Sequence, residues 1–160
     1  MRIEDAKIIL DYAADIPKKL RAIAEEQAEI EAELSCLRGI EYSGMPHGSG
    51  HSDSTADLAE KAEERGYTER LHNLEIQKTI LQGDSRVIWA QIWTLNDVYR
   101  RIIKGLWMKG HSFEEVANEI DYSVSHTKRK KVEALVRMAE ALEWMPMAEE
   151  IRVRAYNARK

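Results

Sequence analysis

The chain has 160 residues, one cysteine, three prolines and a net charge of minus 4. That length suffices for one ordinary domain, or for two small ones sharing a long helix, without a metal or disulfide to staple the core. Cys36 has no partner in the chain, no apolar leader follows a basic start, and no apolar run reaches membrane-span length, so a cytoplasmic protein is expected. The charge is uneven: residues 1–64 carry 7 basic and 15 acidic side chains, a net of minus 8, whereas residues 65–160 carry 17 and 13, a net of plus 4. An acidic half joined to a half that tolerates phosphates is the expected consequence.

Period-2 alternation of apolar residues is almost absent, so the fold class expected is all-α. The first segment carries Ile9, Ala13, Ile16, Leu20, Ile23, Gln27, Ile30, Leu34 and Leu37 at alternating intervals of four and three, which is a coiled-coil seam with Gln27 as a polar, register-setting member. Pro17 interrupts it, predicting a kink or a fresh start near Asp15. Residues 39–55 form a turn-rich Gly/Ser loop, after which helix resumes near Ala56 with Ser54 or Thr55 as its cap.

A second seam runs through Tyr67, Leu71, Leu74, Lys78, Leu81, Ser85, Ile88, Ile92, Leu95, Tyr99, Ile102 and Leu106. Gly83-Asp84-Ser85 reads as a stop followed by a new cap, and Asn96 or Asp97 as another. Two such seams joined by a loop fold most simply as an antiparallel helical hairpin, and a homodimer through the seams is the competing arrangement. Residues 1–94 are therefore read as a hairpin or coiled-coil region.

From residue 95 to residue 146 the pattern changes to three helices with short joints. The first, from Asn96 or Asp97, ends at Lys109-Gly110 with glycine in its usual C-terminal place. Ser112 with Glu115 three residues later is a capping box opening a short second helix. Asp121 suits a left-handed joint, Ser123 caps the third helix, and that helix runs from Val124 to about Glu143 before Pro146. With Ala117 as the small residue at the helix crossing and Val124, Thr127, Ala134, Leu135 and Met138 turned inward, this is the pattern of a DNA-binding helix-turn-helix. Ser123, Ser125, His126, Lys128 and Arg129 then lie at the start of the last helix, where base edges are reached. Lys130, Lys131, Arg100, Arg101 and Lys104 are candidates for phosphate contacts.

Leu95 to Leu142, above all Gly110-His-Ser-Phe-Glu-Glu-Val-Ala and Tyr122-Ser-Val-Ser-His-Thr-Lys-Arg, resembles the fourth region of sigma-70-like factors. Together with an N-terminal helix and the loop Tyr42-Ser-Gly-Met-Pro-His-Gly-Ser-Gly, it is similar to phage late-transcription regulators of the ArpU and RinA kind. The resemblance implies double-stranded promoter DNA as partner and activation of phage or prophage genes.

Other readings stand beside this one. His47, His51 and Asp53 match no zinc spacing and read as incidental loop residues. Trp89, Trp93, Trp107 and Trp144 sit in apolar helical contexts, which predicts core or interface packing rather than stacking on nucleic acid. The basic tail, residues 147–160, reads either as a frayed surface helix or as a contact for phosphates or RNA polymerase. No nucleophile, base and orienting group occur together, so an enzyme is not expected, and no cofactor or metal is implied. Rival functions are a small-terminase-like DNA-packaging protein, and an interaction module that binds protein without touching DNA.

Overall fold

The computed structural model describes residues 1–39 and 66–159, and these are all-helical. In chain order the α-helices are α1 (Ile3–Gly39), α2 (Tyr67–Thr94), α3 (Asp97–Ile103), α4 (Phe113–Glu119), α5 (Val124–Glu143) and α6 (Ala148–Asn157). A π-helical turn, Lys104–Met108, continues α3. No helix among the described residues is long and apolar enough to cross a membrane. The Gly/Ser loop after residue 39, its histidines and the expected caps Ser54 and Thr55 lie outside the described residues.

By contacts the chain forms two compact units, one made of residues 18–80 and the other of residues 1–17 with 81–160. In the first unit the two seams face each other. Ile23, Ile30 and Leu74 are buried, and each such side chain removed from water contributes about 1.5–3 kcal/mol. Cross-helix polar contacts flank them. Gln27 Nε2 donates to Glu75 Oε2 at 3.2 Å, Arg70 pairs with Glu26 at 2.6 Å, and the Tyr67 hydroxyl donates to Glu33. From Gln27–Glu75 to Glu33–Tyr67 the partner number falls as the first rises, so α1 and α2 run antiparallel within this unit. Gln27 thus satisfies its amide on the opposite helix, as a polar seam residue must.

In the second unit Ile9, Leu10 and Ile16 of α1, Ile88 and Ile92 of α2, Ile102 and Ile103 of α3, Met138 and Leu142 of α5 and Ile151 of α6 are all buried. One expectation is narrowed here and another fails. Helix α1 neither ends nor restarts near Asp15; it continues through Pro17. The proline ring is exposed while Ala13 and Ile16 beside it are buried, so apolar burial on the inner face outweighs the roughly 3 kcal/mol cost of an interior proline. Likewise α2 runs unbroken through Gly83-Asp84-Ser85. Asp84 does not cap a helix. Its carboxylate is buried, accepting from the Tyr12 hydroxyl at 2.7 Å and from Arg154 Nε and Nη2 at 2.8 and 2.7 Å. Burial pushes the Tyr12 phenol up from its ordinary value, helped by its bond to Asp84, and that same carboxylate raises Arg154.

The tail is therefore not a frayed helix. Helix α6 buries Ile151 and Ala155, and Arg154 holds it to Asp84 of α2. Tyr156 adds a bond to the buried Asp5 of α1 at 2.7 Å. A left-handed residue, Met147 (φ 60°), turns the chain into α6 just after Pro146.

Candidate nucleic-acid interface

The segment from α3 to α5 is built by local rules that the sequence states openly. Asn96 caps α3 by accepting from Tyr99 N at 2.9 Å. The continuing π-helical turn closes at Gly110, whose φ of +68° suits a residue without Cβ. His111 N reaches back to Gly105 O at 2.9 Å and so satisfies one of the carbonyls at this helix end. Ser112 and Glu115 form the expected reciprocal capping box: Glu115 N donates to Ser112 Oγ at 3.2 Å, and Ser112 N donates to Glu115 Oε2 at 2.7 Å. That backbone donor holds the Glu115 carboxyl below its ordinary value.

Between α4 and α5 the chain reverses in four residues, 120–123. Asp121 takes the left-handed conformation at φ 58°, Tyr122 N donates to Ala117 O at 2.9 Å, and Ser123 Oγ accepts from His126 N at 3.2 Å. Ala117 is buried, as a small residue near this joint should be. Beneath the turn Val116 and Ile120 pack on Ile102, with Val98 and Leu106 against them. Along α5 the buried residues are Thr127, Ala134, Leu135, Met138, Ala139 and Leu142, an inner stripe at helical spacing. Thr127 hides its hydroxyl by donating to Ser123 O at 3.0 Å.

With that stripe turned inward, the remaining candidates separate into groups. Ser125 and Arg129 are exposed and make no side-chain hydrogen bond or ion pair among the described residues. His126, also exposed, meets Tyr122 in a tilted ring contact with centroids 4.6 Å apart. Lys128 sits over Phe113 at 5.6 Å. Half-buried Lys131 holds its ammonium over Phe113 and Trp107 at 5.3 and 5.7 Å, in cation–π contact with both rings. Lys130 is paired with Glu133 at 2.7 Å, and that bond raises its pKa and lowers that of Glu133. A phosphate on Lys130 would have to compete with that carboxylate. Ser123 is committed to capping through its side chain. Arg100 and Arg101 lie on α3, where both pair with Asp97, at 3.1 and 2.9 Å. The first turns of α5 thus present Lys128, Arg129 and Lys131 without carboxylate partners among the described residues, at a helix end whose dipole adds positive potential.

Two features have no counterpart in the sequence expectations. A close helix approach falls at Gly105, where a Cβ would lie 2.6 Å from Val116 Cγ2. A glycine inside an apolar helical run was the available signal. The tryptophans are also divided. Trp107 is half-buried and donates to Asp11 at 2.9 Å, whereas Trp93 and Trp144 are exposed and so lie outside the core. No group of side chains among the described residues could hold a metal ion.

Set against models of protein families, curated proteins and solved structures, the chain matches none of them.

Proposed function

We propose that the chain is a sequence-specific DNA-binding transcriptional regulator, a sigma-like activator of phage or prophage genes that reads promoter DNA with the start of α5. One observation carries the reading. A short capped helix, a four-residue turn with a left-handed Asp121, and a second helix follow one another so that Thr127 is buried while Ser125, His126, Lys128 and Arg129 remain outside. A recognition helix needs this arrangement, because its first turns must enter the major groove while its inner face stays in the core. The resemblance of Gly110 to Arg129 to the fourth region of sigma-70-like factors supports the same reading and adds RNA polymerase as a second partner.

The test begins with genome-wide recovery of bound DNA, followed by binding to the recovered site and to a scrambled duplex at several salt concentrations. Arg129→Ala should weaken the preferred site by about 1–3 kcal/mol and relax one base position, while a phosphate contact such as Lys131 should, on removal, weaken both duplexes alike. Equal binding of both duplexes by parent and variants would leave α5 a solvated basic face, and the protein-interaction reading would replace this one.

A further inference from the structure

At the joint between α2 and α3 lies a cleft of about 390 Å³ that duplex recognition by α5 does not use. One wall is Trp93, with 58% of its surface in water. Arg100 and Lys104 approach its ring at 4.8 and 5.1 Å, and Arg101, Lys109, Asp97 and Glu119 complete the lining. The charges do not balance. Arg100 and Arg101 share the single carboxylate of Asp97, Lys109 pairs with Glu119 at 3.3 Å, and Lys104 has no ion pair among the described residues. Four cations against two carboxylates leave the cleft with an excess of two positive charges beside an exposed indole.

A large aromatic ring in water, bordered by cations in excess, suits a ligand that joins a flat ring to an anion. Indole has two faces, and the exposure of Trp93 leaves ring surface for a partner even with cations nearby. The guanidinium forks of Arg100 and Arg101 match the oxygens of a phosphate, and Lys104 supplies a further point charge near the ring. The volume is near the lower end of ligand pockets, which run to about 300–1,000 Å³, and so suits one nucleotide rather than a large cofactor. A duplex offers phosphates but keeps its bases stacked, so it would leave the tryptophan unused. An acidic peptide would use the cations and also leave the ring idle.

We propose that this cleft binds an unpaired nucleotide of a single-stranded nucleic acid, with the base stacked on Trp93 and the adjoining phosphate held by Lys104 and the two arginines. This site is separate from the start of α5, so it stands or falls independently of duplex recognition there.

The experiment is fluorescence anisotropy of a labelled short oligothymidylate titrated with the full chain at low and moderate salt. Trp93→Ala should weaken binding by about 5- to 150-fold, the loss of one stacked base, whereas Trp93→Phe should retain most of it. Lys104→Gln should weaken binding and flatten its salt dependence. Arg129→Ala should bind the oligonucleotide like the parent, which separates this site from α5. Circular dichroism of each variant should match the parent, and the phenylalanine variant keeps the test sharp if alanine disturbs the fold. Binding indifferent to the loss of the Trp93 ring would overturn the proposal, as would a polyglutamate peptide that displaces the oligonucleotide at equal charge. Binding that disappears with Arg129→Ala would overturn it too.

Discussion

Replacing Gly105 by alanine sets two effects of similar size against each other, and the structure decides between them. Alanine is favoured over glycine in a helix by about 1 kcal/mol, and Gly105 lies in a helical stretch with no positive φ to protect. Against this, the new methyl would sit 2.6 Å from Val116 Cγ2, well inside the roughly 3.5–4.0 Å of a favourable carbon contact. Val116 is fully buried and β-branched, so it has one strongly preferred rotamer in a helix and little freedom to turn away. Overpacking of this kind costs about 1–3 kcal/mol, which leaves Gly105→Ala destabilising by about 0–2 kcal/mol after the propensity gain is subtracted. The companion variant sharpens the test. Val116→Ala removes the clashing atoms at a cost of about 1.6 kcal/mol in lost burial alone, and the methyl introduced at position 105 would refill part of that space. The double variant should therefore be more stable than the sum of the single losses by about 1 kcal/mol or more, a coupling expected only for residues in contact. Urea unfolding monitored by circular dichroism measures all four proteins, with constant slope as the condition for comparing midpoints. If Gly105→Ala proves more stable than the parent by about 1 kcal/mol and the cycle is additive, helix propensity governs the site. The close approach of the π-helical turn to α4 would then be refuted.

Two further perturbations probe the polar framework. Arg154→Ala strips Asp84 of its bidentate partner while the Tyr12 hydroxyl still donates to it. The expected loss is about 2–4 kcal/mol, less than for a fully buried pair because the Arg154 side chain keeps 30% of its surface in water; urea unfolding indistinguishable from the parent would show that α6 is not held by this pair. The capping box should respond to acid. Glu115 has its folded pKa lowered by the Ser112 backbone donor, so its stabilisation is fully present above the ordinary glutamate value and is lost as pH falls through the lowered one. The melting temperature of the parent should exceed that of Glu115→Ala at neutral pH and converge with it in acid, and a gap that persists unchanged would mean the carboxylate bond contributes nothing.

The caps, the joints and the extent of α5 were legible in the sequence because they are local. Asn96, Ser112 and Ser123 each bond a backbone group three residues on, and Asp121 and Gly110 adopt positive φ on their own account, so a window of a few residues holds all the physics. The seams were legible for a related reason: helical periodicity repeats within two turns, and Ile23, Ile30, Leu74, Ile88 and Ile92 are buried as their spacing implies. What only the tertiary structure decided involves partners distant in the chain. Gly83-Asp84-Ser85 carries every local sign of a helix stop, yet α2 runs on because Asp84 meets Tyr12 and Arg154, 72 and 70 residues away. Pro17 is tolerated because buried neighbours hold α1 on both sides of it, and Gly105 matters because Val116 arrives from another helix. Trp93 shares the apolar surroundings of Trp89 in sequence, but only packing places one in the open and the other half inside. Local bonds are written in adjacent residues, whereas the energy that overrides them comes from surfaces brought together by the rest of the chain.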